Sequence, residues 1–162
     1  QQWQLSLLDA AKRLIPAGAV YHGMNEQDVE NFIQFPSSMI GSDGLPCDPH
    51  PHPRLWGSFP RVLGHFSRNK KLLSLEQAIH KMTGLSAINF KLKQRGFIRK
   101  GYFADLVLLD ANTVKDQATF SKPFERSSGI KKLWINGQLT YQEISGVITN
   151  KQTRAGQFLK HG

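Results

Sequence analysis

Ser37-Ser38-Met39-Ile40-Gly41-Ser42-Asp43-Gly44 is a short apolar run that ends in a carboxylate, and a long loop follows through Pro49-His50-Pro51-His52-Pro53-Arg54. Taken alone, Asp-Gly is a common turn signal. In parallel α/β proteins, however, the C-terminal ends of strands face the active site and the loops after them carry chemistry. On local grounds the plain turn is the stronger reading, and the flanking sequence supplies the context. Upstream, Ala19-Val20-Tyr21-His22-Gly23-Met24 is short and β-prone. Asn25 is a good N-cap, with Glu26 and Asp28 in the first turn, where acidic groups suit the helix dipole. Val29, Phe32 and Ile33 form an apolar stripe, Pro36 stops the helix, and Met39 and Ile40 begin the next strand. Two β-prone runs joined by a helix make a βαβ unit, with parallel strands and a right-handed crossover. Parallel sheets need both faces covered, so the expectation is a slice of a larger α/β sheet.

Before this unit, Leu7, Leu8, Ala11, Leu14 and Ile15 recur at helical spacing, ended by Pro16 and Gly18. After the loop, Phe59 to Arg68 reads as a helix with Phe59, Val62, Leu63 and Phe66 on one face. Ser74 and Gln77 form a capping box for another helix, along which Leu75, Ala78, Ile79 and Met82 make the apolar stripe. Gly84 is its natural stop, and a short helical piece follows from Ser86 to Phe90. From Arg95 the character changes. Phe97-Ile98, Ala104 to Asp110 and Ile130 to Ile135 read as strands. Asn136-Gly137 is a hairpin signal that pairs Ile135 with Gln138 and Trp134 with Leu139. Trp134, Leu139 and Tyr141 are then expected on one face.

Composition bounds the rest. With 162 residues, 40% hydrophobic and 20% charged, the chain has globular proportions and can bury a core. No apolar run reaches membrane-spanning length, and the N-terminus lacks a signal-peptide pattern. One cysteine, Cys47, excludes an internal disulfide and suits a cytoplasmic location. The net charge of +9 raises the question of nucleic acid. The basic residues fall in short clusters, Arg68 to Lys71, Lys91 to Arg95, Arg99-Lys100 and Lys131-Lys132, without interleaved aromatic residues. The expectation is a solvated basic surface, with neither a nucleic-acid nor a membrane partner. The opening Gln1-Gln2-Trp3, without methionine, reads as a cut from a longer polypeptide.

The run Arg95-Gly96-Phe97-Ile98-Arg99-Lys100-Gly101-Tyr102-Phe103-Ala104-Asp105-Leu106-Val107-Leu108-Leu109-Asp110 resembles a signature of the amidohydrolase superfamily, where it leads from a catalytic barrel into a small β-sandwich. On the residues themselves, Leu106 to Leu109 reads as a buried strand and the glycines as sharp turns. Met39 to Pro46, Pro49 to Gly57, Phe59 to His65 and His80-Lys81-Met82-Thr83-Gly84 resemble zinc-dependent N-acyl-D-amino-acid deacylases over nearly the whole chain. The likeness implies the C-terminal third or so of such an enzyme. Residues 1–90 would be the last portion of a TIM-like (β/α)8 barrel, and residues 91–162 part of a β-sandwich.

The resemblance also implies roles. Asp43 would end the eighth barrel strand, approach the zinc, take a proton from water and give it to the leaving amine. Amide hydrolysis needs an activated water, an electrophile on the carbonyl and a proton donor for a poor leaving group. Arg54 falls where the family pairs an arginine with the substrate carboxylate, a task suited to a bidentate guanidinium. Its plainer reading is a surface arginine that braces the loop. Cys47 departs from the pattern, which commonly has histidine there. A separate metal site of Cys47, His50 and His52 has suitable side chains. The prolines at 49, 51 and 53 favour a polyproline II backbone that turns the two histidines apart. His65 and His80 read as structural. The family's main metal ligands lie on earlier strands, so this chain alone is expected to hold zinc poorly. The resulting expectation is an enzyme portion acting on N-acyl-D-amino acids, completed by the N-terminal barrel portion or by self-association. The alternatives are a non-catalytic binding or structural remnant, and one chain of a split enzyme.

Overall fold

The structure, a computed structural model, describes residues 9, 12–13, 23–46, 49–148 and 154–159. The expected first helix and first strand lie largely outside these. Within the former, the Arg13 amide donates to the Asp9 carbonyl four residues back, a helical bond. Helices occupy the first part of the described chain: α1 (Glu26–Gln34), α2 (Arg54–Arg61), a π-helical continuation (Val62–Asn69), α3 (Leu75–Met82) and α4 (Gly84–Asn89). Strands follow: β1 (Leu106–Leu109), β2 (Ile130–Ile135), β3 (Gln138–Gln142) and β4 (Gly146–Val147).

Local chemistry explains several boundaries. Asn25 accepts from the Asp28 amide at 2.8 Å and caps α1. Ser74 and Gln77 form the reciprocal capping box of α3. Asn136 and Gly137 adopt φ of 49° and 80°, both left-handed, as a type I′ turn demands. The pairs Ile135–Gln138 and Trp134–Leu139 form as the turn dictates. Strand order is β1-β2-β3-β4, all antiparallel.

Other expectations are corrected. Met39 and Ile40 are extended and belong to no ladder among the described residues, and most of the strand expected to pair with them, Ala19 to Met24, lies outside those residues. Phe97-Ile98 is a turn region, with Ile98 90% exposed. Gly84 does not end a helix; Thr83 breaks the chain at φ −133°, ψ −86°, and Gly84 opens α4. Helix α2 starts before Phe59, at Arg54, whose amide donates to His52 Nδ1 at 3.0 Å. A shift in register between Leu133 and Trp134 sets Tyr141 opposite Leu133, not on the Trp134 face. Strand β1 is no buried strand: Val107 and Leu108 are about half exposed. Val107 and Leu108 point to opposite faces, so neither face of this edge strand is closed over at its middle among the described residues.

The core gathers Val62, Leu63, Phe66, Leu73, Ala78 and Val114, with Val29, Ile33, Ile40, Leu75, Leu109 and Ile130 packed around it. It therefore joins the helices to the sheet through Val114, which is fully buried. Phe59 and Phe32 of the expected stripes are exposed. On α3 the buried face includes Ala78 and Lys81, while Ile79 is exposed.

The amidohydrolase-like signature has a physical explanation. Arg95 is ion-paired with Asp105, donates to Asn136 Oδ1 at 2.8 Å and stacks over Phe103 at 4.2 Å. Asp105 in turn accepts the Asn136 amide at 2.8 Å. Arginine, aspartate and hairpin asparagine thus tie the loop after α4 to one end of the sheet, where β1 begins and β2 ends. Gly96, at φ 80°, lets the chain turn against Ala87, where an added Cβ would come within 2.5 Å.

Candidate functional site

Asp43 and Arg54, singled out separately in the sequence, meet: Arg54 donates a guanidinium nitrogen to Asp43 Oδ2 at 2.8 Å. Asp43 arrives on an extended, unpaired segment and has φ 47°, a left-handed conformation that aspartate tolerates better than most residues. Its side chain is 79% exposed and that of Arg54 is 40% exposed, so the carboxylate is open to an incoming ligand. The Gly44 amide donates to Ser42 Oγ at 3.4 Å beside it. Arg54 opens α2, whose Gly57 packs against Asp116 and whose Arg61 pairs with Asp116 at 3.1 Å. The Trp56 carbonyl accepts from Ser127 at 2.9 Å. The segment from 116 to 127 therefore holds the helix that presents Arg54.

His50 and His52 both engage Phe120 on that segment. His50 Nε2 lies 2.8 Å from the Phe120 carbonyl, and the His52 ring meets the Phe120 ring edge-on at 5.0 Å. Their contacts hold the loop to the rest of the chain. Cys47 lies outside the described residues. Among the described residues, no three His, Cys, Asp or Glu side chains form a group able to hold a metal ion. Asp43 offers one carboxylate, which is one ligand and not a zinc site. His65 packs edge-on against Phe66 at 4.8 Å, and its Nε2 lies 3.8 Å from Glu26. His80 tilts over Phe97.

One residue of the 80–84 stretch has a setting that the apolar pattern of α3 does not reveal. Lys81 is buried, 5% exposed, although its neighbours His80 and Met82 read as the surface and the core of α3. Burial pushes its ammonium pKa down. Several other cations of the basic clusters are engaged within the chain: Arg68 on the Ala111 and Val114 carbonyls, Lys70 on Glu26 and Glu30, and Lys131 on Glu143. No helix among the described residues is long and apolar enough to cross a membrane.

Comparisons with known proteins agree with the signatures. A D-aminoacylase of Alcaligenes xylosoxydans xylosoxydans is 54% identical over 138 residues, covering 85% of this chain and 28% of the relative. An N-acyl-D-aspartate deacylase of the same organism is 51% identical over 153 residues, 94% of this chain and 30% of the relative. A solved D-aminoacylase with a binuclear metal centre superposes with a TM-score of 0.82 at 50% identity, covering 90% of this chain and 31% of that one. An N-acyl-D-glutamate deacylase from Bordetella bronchiseptica, complexed with zinc and a phosphonate inhibitor, gives 0.81 at 46% identity, covering 88% of this chain and 30% of that one. The chain thus spans less than a third of the length of the curated relatives it matches. The family model for the amidohydrolase family matches residues 7–141, and with that span the chain belongs to the amidohydrolase family.

Proposed function

We propose that this chain is the C-terminal portion of a zinc-dependent deacylase that hydrolyses N-acyl-D-amino acids to a D-amino acid and a carboxylate. Residues 1–90 would be the last part of a (β/α)8 barrel and residues 91–162 part of a β-sandwich. The observation that carries this reading is the 50–54% identity to relatives that are named deacylases of such substrates. In the complete enzyme, zinc held mainly by ligands from other strands would supply a Lewis acid for the scissile carbonyl and for the attacking water. Asp43 is the ligand this chain would add.

The chain's own residues have definite tasks. Asp43 takes a proton from the water as the C–O bond forms, and returns it to the amine as the C–N bond breaks. Arg54 binds the substrate's free carboxylate. That its guanidinium already holds a carboxylate at 2.8 Å supports this assignment, since the substrate would take the place of Asp43 on the same donors.

A second observation bears on partners. Met24, Phe32, Phe35, Leu45 and Phe59 are exposed, and apolar surface of this kind calls for a cover. The N-terminal barrel portion would supply it; self-association, or one chain of a split enzyme, is the alternative.

The test is zinc-dependent release of amine from N-acetyl-D-amino acids by the complete polypeptide, or by this chain reconstituted with a barrel portion. Hydrolysis of the D- but not the L-substrate is expected. A zinc-loaded complete protein with no such hydrolysis would overturn the reading. The 162-residue chain alone should retain no stoichiometric zinc after dialysis. Tight zinc there would revive a site at Cys47, His50 and His52.

A further inference from the structure

Among the described residues, Lys81 is a buried cation that forms no ion pair with a carboxylate. Its Nζ donates to the Phe35 carbonyl at 2.5 Å and to the Ser38 carbonyl and Oγ, both at 3.1 Å, with the Pro36 carbonyl at 3.4 Å. An ammonium has three N–H donors, and these acceptors occupy them. They sit just past the C-terminus of α1, where the helix leaves carbonyls unpaired and the dipole favours a cation. Burying a charge is costly unless it is fully hydrogen-bonded, so a plain apolar stem would be the cheaper filler here. What the ammonium adds is a directional hold on the turn at 35–38.

The main chain of the same residue holds the next stretch. The Lys81 carbonyl accepts the Ile40 amide at 3.4 Å and the Ser86 hydroxyl at 3.2 Å. Residues 38–45 belong to no strand ladder among the described residues, so the Ile40 bond ties this stretch to α3 where a ladder would otherwise do so. Three residues beyond Ile40 comes Asp43, whose carboxylate meets Arg54.

We propose that Lys81 is a positioning residue for the candidate site: its ammonium and its carbonyl together lock residues 35–40, and so deliver Asp43 to Arg54. For its effect on turnover this rests on the deacylase reading; the lock itself does not.

The experiment has two arms. In the full chain, Lys81→Met and Lys81→Arg are compared by amide hydrogen exchange. Lys81→Met should speed exchange at Ser38 and Ile40 by about tenfold beyond any change at Leu72 and Val114, which report global opening. Lys81→Arg, which keeps donors and charge, should restore much of the protection. Exchange at Ser38 and Ile40 that is unchanged, or that rises only in step with Leu72 and Val114, overturns the proposal. In the zinc-loaded complete enzyme, Lys81→Met should lower kcat by about a hundredfold with KM little changed, because a small misplacement of a reacting group has that effect. The loss should vanish when Asp43 is already Asn. Equal losses in both backgrounds would overturn action through Asp43. If Asp43→Asn alone left turnover intact, the catalytic reading of Asp43 would fall, and the exchange rates would still decide on Lys81.

Discussion

Replacing Asp43 with Asn separates structural from chemical roles by magnitude. The ion pair with Arg54 is short, 2.8 Å, but the two side chains are 79% and 40% exposed. Pairs this open to solvent contribute about 0.2–1 kcal/mol. Asparagine keeps the shape, still accepts a hydrogen bond from Arg54, and tolerates the left-handed backbone at φ 47°. The unfolding free energy should therefore change by less than about 1 kcal/mol, equivalent to a Tm shift of about 2–4 °C at most for a chain of this size. The chemical loss is of another order. If Asp43 carries the proton in both halves of the proposed reaction, its removal should lower turnover about a thousandfold, equivalent to about 4 kcal/mol of transition-state stabilisation. Urea denaturation of the chain gives the first quantity, and steady-state hydrolysis of an N-acetyl-D-amino acid by the complete enzyme gives the second. Near-wild-type turnover together with a stability loss of several kcal/mol would refute the reasoning, and Asp43 would be a turn residue.

Arg54→Lys keeps the charge but loses the two-pronged fork, so KM for a substrate with a free carboxylate should rise about tenfold while kcat changes little. Gly64→Ala places a Cβ 2.5 Å from the Val114 carbonyl and should destabilise the chain by about 1–3 kcal/mol, read from the urea midpoint. Arg95→Ala strips the donors from Asp105 and Asn136 and should cost about 2 kcal/mol, with the loss of protection concentrated in the β2–β3 hairpin. The hydrogen bond and charge of Lys70 hold the Glu26 carboxyl below its ordinary 4.5, so its stabilisation is present above that pH and is lost as pH falls through the folded value. Lys70 is raised above 10.5, first by its bond to Glu30 and then by Glu26, so its contribution is full below that pH and fades as pH rises through the folded value. Urea midpoints across pH should show both flanks, and Glu26→Gln should flatten the acid one.

The features legible in the sequence share one property: their partners are close along the chain. Asn25 reaches Asp28, Ser74 reaches Gln77, and Asn136-Gly137 needs only its own left-handed dihedrals, so each cap or turn could be read from residue type and spacing. Asp43 and Arg54 could be named one at a time, through their likeness to a family. That they pair was a matter of how the loop from 44 to 53 is folded back, with His50 and His52 anchored on Phe120 from a segment 70 residues away along the chain. The exposure of β1 at Val107 and Leu108 likewise depended on what covers the two faces of the sheet, which an apolar run cannot reveal. Lys81 is the extreme case. A lysine beside a helix C-terminus reads as solvent-facing, but its acceptors lie 43 to 46 residues earlier, and only their convergence makes a buried ammonium tolerable. The sequence by itself determined the local turns, the caps and the family. Tertiary packing decided which side chains meet, because burial and long-range hydrogen bonds are properties of the assembled chain and not of neighbouring residues.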